Sequence, residues 1–220
     1  MHPVLRLYED VLSSAENVEF ALPPLPRFIF VVHGAAVIGG RAVNEGEAFQ
    51  GEDAATMKPS PQGVTCWRWE LARGDQGATT ANAPGMITHE KLSAFLETLP
   101  KGDLLMRGDS VAFPPGGCAY LHRHQGPGIR CLIDGGIRID THGRSTSYGP
   151  GGAWYESGPD PVFAQGAAER PTRFIRVMVL PRALQGQSSL QYVNEDDKAK
   201  PKAQQYKIYA DAPIAFAAKK

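Results

Sequence analysis

The sequence is poor in cysteine: Cys66, Cys118 and Cys131 are the only three in 220 residues. Three cannot all pair, so no disulfide framework is expected, and small buried hydrophobes on strands is the ordinary role of such thiols. An excess of either charge is missing too, since Lys plus Arg and Asp plus Glu both total 23. A balanced chain has no global field to attract nucleic acid or an anionic membrane, and neither is expected as a partner. Nor is there an apolar span of about 18 residues or a charged-then-apolar leader, which makes a cytoplasmic location the expectation. What remains is a 42% hydrophobic content, ample for one large or two small packed domains that take small molecules as ligands.

What is there is mostly short strands. Phe28-Ile29-Phe30-Val31-Val32 is aromatic and β-branched and ends at His33-Gly34. Val64-Thr65-Cys66-Trp67-Arg68-Trp69-Glu70-Leu71 and Leu104 to Phe113 read the same way, and Asp134-Gly135-Gly136 is a strong hairpin signal between Ile129–Ile133 and Ile137–Thr141. Two stretches point elsewhere. Pro3 to Glu19 has near-helical apolar spacing and is expected as an extended arm or short helix. Thr88-His89-Glu90-Lys91 resembles a capped start for a helix carrying Leu92, Phe95, Leu96 and Leu99, ended by Pro100. His33 and His89 are read as solvated.

His122 and His124 are the only closely spaced histidine pair. Two histidines separated by one residue share a strand face, and imidazole is the commonest side-chain metal ligand, so this pair is a candidate metal site.

Around the pair the sequence resembles the cupin superfamily, small β-barrels whose first motif reads Gly-x5-His-x-His-x3-4-Glu-x6-Gly. Gly116, His122, His124 and Gly135 fall in register, while Gly128 stands where the glutamate would be. In the second motif Gly151 fits, but Ser157, Pro159, Val162 and Gly166 stand where Pro, Gly, His and Asn would. Two of the four usual ligands are therefore missing. The first half also repeats in the second: Val31-Val32-His33-Gly34 lies over Leu132-Ile133-Asp134-Gly135, Gly46-Glu47-Ala48-Phe49 over Gly151-Gly152-Ala153-Trp154, and Trp67–Leu71 over Phe174–Met178.

The expected fold is therefore all-β, a double cupin of two jelly-roll-type barrels with a few short helices. Residues 1–80 would form a degenerate half without metal ligands, 81–102 a linker and helix, 103–185 a metal-binding half, and 186–220 a tail. Within that tail Tyr206–Ala210 would form an edge strand, pairing with its own sheet or with a partner's in a homodimer, before the closing Lys219-Lys220.

The resemblance also directs the search for a third ligand. In a cupin barrel the strand after Gly151 runs inward, and alternation puts Trp154 and Glu156 on one face. Glu156 joined to His122 and His124 would make a two-histidine, one-carboxylate set for a divalent transition metal (Fe, Mn, Ni or Zn), the arrangement of non-haem Fe(II) oxygenases. The alternative is a surface Glu156. Arg130 would face the barrel and need an anion: either Glu156, which would make that carboxylate a poorer metal ligand, or a substrate carboxylate that Arg130 would anchor for catalysis. The function this implies is a metal-dependent oxygenase acting on a small organic molecule, with a non-catalytic binding cupin or a metal-dependent lyase or isomerase as alternatives.

Overall fold

The structure is a computed structural model that describes residues 2–14 and 18–216. It divides into two compact units, Met1–Phe95 with Ile214–Lys220, and Leu96–Pro213. Part of the Pro3–Glu19 stretch, residues 15–17, and the closing Lys219-Lys220 lie outside the described residues.

The first unit holds β1 (Val4–Leu12), β2 (Phe20–Leu22), β3 (Arg27–Ile38), β4 (Arg41–Asn44), β5 (Ala48–Gly51), β6 (Ala55–Ala72), β7 (Asn82–Ala83) and β8 (Met86–Phe95). All eight strands join one sheet. β1 shows that the N-terminal stretch is a strand rather than a helix. Its even-numbered side chains Tyr8, Asp10 and Leu12 are buried, and it runs antiparallel to β6 from Val4 opposite Ala72 to Leu12 opposite Val64.

The helix expected over Thr88–Leu99 is not formed; most of it is β8. The local pattern was helical, but β1 presents an open edge, and β8 pairs along its whole length, from Val4 opposite Phe95 to Leu12 opposite Met86. Satisfying that row of backbone groups outweighs a weak local propensity. Thr88, read as part of a helix start, instead donates its hydroxyl to Asp10 at 2.7 Å and accepts the Ala81 N–H at 3.0 Å. His89 and His33 are exposed, as read.

The second unit holds β9 (Leu104–Phe113), β10 (Cys118–His124), β11 (Gly128–Asp134), β12 (Ile137–Thr141), β13 (Arg144–Tyr148), β14 (Ala153–Glu156), β15 (Val162–Gly166), β16 (Thr172–Pro181), β17 (Leu190–Tyr192) and β18 (Gln205–Ile214). Single 3₁₀ turns, Arg182–Leu184 and Glu195–Lys198, are its described helices. Two five-stranded sheets result, ordered β13-β12-β15-β10-β17 and β14-β11-β16-β9-β18. Their inner faces share one core, to which the first sheet contributes Ile137, Ile139, Val162 and Ala164, and the second Val111, Leu132, Trp154 and Phe174. Burial of each large apolar side chain contributes about 1.5–3 kcal/mol. The β11–β12 hairpin turns at Gly135, whose φ is +85° and whose missing Cβ would lie 2.3 Å from the Pro171 carbonyl, so no larger residue fits there.

The repeat read from sequence reappears as pairing. β3 lies between β5 and β6, and β6 carries β1 on its far side; β11 lies between β14 and β16, and β16 carries β9. The strand expected at Tyr206–Ala210 forms as β18 and takes the free edge of β9 within the same chain.

Candidate metal centre

β10 delivers the histidine pair. Its burial alternates at its end, with His122 and His124 inward and Arg123 exposed between them, as strand geometry requires. The two rings lie 4.9 Å apart and nearly perpendicular. Both are held from behind. His122 Nδ1 lies 2.7 Å from the Tyr120 carbonyl oxygen, which can only accept, so Nδ1 carries the proton and Nε2 keeps its lone pair. His124 Nδ1 lies 3.2 Å from Ser189 Oγ, and its Nε2 faces Glu156. This is the arrangement of metal-ligating histidines, whose outer nitrogen is tied to a fixed partner. Burial pushes both imidazoles below their ordinary value. Glu156 partly opposes this at His122, whereas Arg176 and Arg130 reinforce it at His124. Neutral rings are what a metal ion requires.

The carboxylate comes from the facing sheet. Glu156 closes β14 and is 8% exposed, so it points inward rather than to solvent. Oε1 accepts the Trp154 indole N–H at 2.9 Å, and Trp154 is packed between Tyr148 and Phe174. Oε2 lies 3.7 Å from His124 Nε2 and 2.7 Å from Arg130 Nη2. The anion that buried Arg130 needs is thus Glu156. Arg130 also donates Nη1 to the Gly128 carbonyl at 2.7 Å. Burial lowers its guanidinium to about 10, opposed chiefly by Glu156, so it is a cation at neutral pH.

The Arg130–Glu156 contact is close but misaligned: Glu156 Oε2 and Arg130 Nη2 are both buried without a directed hydrogen bond. A carboxylate oxygen so placed keeps a lone pair free. One ligand atom from each of His122, His124 and Glu156 lies within 4.8 Å of the others, the only such three-residue set among the described residues. They line a cavity of about 20 Å³. That is room for one water or one ion, since a single water needs about 10–15 Å³. Two neutral imidazoles, one unsatisfied carboxylate oxygen and an ion-sized space fit a divalent metal.

The register explains the departure from the cupin motif. Gly128, at the motif's glutamate position, lies directly opposite Glu156 in the β11–β14 ladder. A Cβ at 128 would come 2.4 Å from the Val177 carbonyl oxygen and 2.8 Å from Met178 Cγ, so no side chain fits. The carboxylate therefore stands one strand over. Val162, at the motif's histidine position, is opposite His122 and packs in the core.

Sequence reasoning missed three neighbours. Arg176 on β16 is clamped by Asp109 on β9 through Nε at 3.0 Å and Nη2 at 2.7 Å, and both are buried. Burial opposes the Arg176 charge, but Asp109 outweighs it and holds the guanidinium above its ordinary value. A charge inside a largely apolar strand run was the available signal for each. Ser189, in a polar loop, gave none.

Among the described residues of the first unit no such cluster is found. Arg68 pairs with Asp10 at 2.7 Å and with Glu70 at 2.8 Å, and Arg27 pairs with Glu70 at 3.3 Å, all four being buried. The charges cancel, and no histidine is among them.

No protein-family model and no curated protein matches the chain. Solved structures do. AerE from Microcystis aeruginosa aligns with a TM-score of 0.57 at 10% identity, covering 82% of this chain and 89% of that one. A point mutant of Bacillus subtilis oxalate decarboxylase aligns at 0.58 and 11% identity, covering 89% and 73%. The formate complex of Lactobacillus farciminis oxalate decarboxylase aligns at 0.58 and 11%, covering 91% and 82%. These neighbours are cupin-family proteins. The fold is that of a cupin. In this chain the candidate ligands come from both sheets of the second unit, two from β10 and one from β14.

Proposed function

We propose that this chain is a double-cupin metalloenzyme that holds one divalent transition metal on His122, His124 and Glu156 and acts on a small organic acid. The observation that carries the reading is the inward convergence of two fixed imidazoles and the Glu156 carboxylate, which also faces Arg130, on an ion-sized cavity. Bound there, the metal supplies Lewis acidity and open positions for substrate oxygen atoms or O2. The chain supplies the rest. The Tyr120 carbonyl and Ser189 set the imidazole tautomers, Trp154 and Arg130 orient Glu156, and Phe113, Phe174 and Val111 keep bulk water out of the cavity. Arg130 and Arg176 are balanced by Glu156 and Asp109, so an added divalent ion leaves the site positive and favours an anionic substrate.

The donor set supports oxygen-dependent oxidation, since two histidines and a carboxylate with open positions is the non-haem Fe(II) oxygenase pattern. The oxalate decarboxylases among the structural neighbours favour a second reading, a lyase using the same ion as a Lewis acid. Metal analysis of untagged protein, followed by oxygen-electrode and anaerobic turnover assays over a panel of small carboxylic acids, separates the possibilities. About one ion per chain with His122-dependent oxygen uptake supports the oxygenase, and anaerobic turnover supports the lyase. Absence of metal sinks both.

A further inference from the structure

The ion-sized cavity is too small for an organic substrate, yet it adjoins a larger one. The second cavity measures about 290 Å³, at the small end of the range in which small molecules bind, and shares Arg176, Leu190 and Tyr206 with the first. It lies within the second unit and is lined by the Ser188–Leu190 loop, by Tyr206 and Ile208 of β18, and by Asp109 and Arg176.

Two arginines line it, and only one is free to bind. Arg107 is tied by four hydrogen bonds, two to Asp211 and one each to the Gln187 and Leu184 carbonyls. Arg176 uses Nε and Nη2 on Asp109 and leaves Nη1 without a hydrogen-bond partner, although the residue is only 8% exposed. A guanidinium has five donors, so an anion can take those left over. Among the remaining walls, which include Asp109, Gln187, Ser188 and Ser189, Leu190, Tyr206 and Ile208 present hydrocarbon to an apolar body, and Ile208 is 56% exposed.

Resting on the metal-centre reading above, we infer that this second cavity is the substrate vestibule, binding a small carboxylate with an apolar body, its carboxylate on Arg176 and its body between the Ser188–Leu190 loop and β18. Arg176 is the charged wall common to both cavities, shared along with Leu190 and Tyr206, so the anion it holds sits beside the ion site. Ser189 links the two further, lining the vestibule while contacting His124 Nδ1.

The test is isothermal titration calorimetry of benzoate, with benzyl alcohol as the neutral probe, into the full chain loaded with one equivalent of Mn(II). Ser188→Trp and Ile208→Trp fill the vestibule from two different elements, at exposed positions that are not metal ligands. Benzoate is expected to bind the wild type at least about tenfold more tightly than benzyl alcohol, and each substitution to weaken it at least about tenfold with metal content unchanged. Benzoate affinity unmoved by both substitutions, equal affinity for the alcohol, or no benzoate binding at millimolar concentration overturns the inference. Titrations on metal-free protein keep the two readings apart. A wild type that takes up no metal refutes the metal centre, while benzoate binding there that either tryptophan abolishes still supports the vestibule.

Discussion

Replacing Glu156 by glutamine keeps the shape of the side chain and an oxygen for the Trp154 N–H, but removes the charge opposite Arg130. The pair is deeply desolvated, Arg130 being 1% and Glu156 8% exposed. Removing one partner of a buried ion pair costs about 3–5 kcal/mol, because the other charge stays buried. The second counter-charge cannot step in, since Asp109 is already committed to Arg176 through both oxygens. For a chain of this length about 1 kcal/mol moves the melting temperature by ~2–4 °C, so metal-free Glu156→Gln should melt roughly 6–20 °C lower. The assay is circular dichroism melting with urea unfolding in chelator. Arg130→Met should recover part of the loss in the Glu156→Gln background, and the double-mutant cycle should show coupling well above the ~0.3–0.5 kcal/mol expected of independent sites. A loss below about 1 kcal/mol with no coupling would refute the buried pair.

Ser189→Ala should reduce metal affinity about 10–100-fold without unfolding, because it removes the partner of His124 Nδ1; chelator competition measures it. Gly128→Glu restores the motif's glutamate, but its Cβ would meet the Val177 carbonyl at 2.4 Å, so it should destabilise the protein rather than add a ligand, read as a lower urea midpoint. Burial holds His122 and His124 below their ordinary value, so below about pH 6.5 the unfolded chain binds more protons than the folded one. Stability of the metal-free protein should therefore be complete above that pH and fall on acidification, by at most about 1.4 kcal/mol per pH unit per histidine. Urea midpoints between pH 7.5 and 5 that do not fall contradict the neutral buried rings.

Much of the site was legible because strand geometry is simple. The single residue between His122 and His124 fixes their common face, and the same alternation over Ala153–Glu156 puts Glu156 on one face with Trp154, while burial in the structure shows that this face is the interior. That Glu156 stands opposite the vacant glutamate position was not legible, since register across the β11–β14 ladder depends on the intervening hairpins. Asp109 and Arg176 were missed for a similar reason: each is a charge in a largely apolar strand, and only the β9–β16 pairing joins them. The Thr88–Leu99 stretch failed differently. Its apolar spacing satisfies a helix locally, and the need of β1 for an edge partner lies some eighty residues upstream.

The most direct test of the metal centre is X-ray absorption at the edge of one equivalent of Mn(II) or Fe(II) bound to the full chain, compared with the His122→Ala and Glu156→Gln variants. The account predicts a shell with two imidazole nitrogens beside oxygen donors, imidazole scattering that falls by half in His122→Ala, and an altered oxygen shell in Glu156→Gln. An oxygen-only shell, unchanged in both variants, would contradict it.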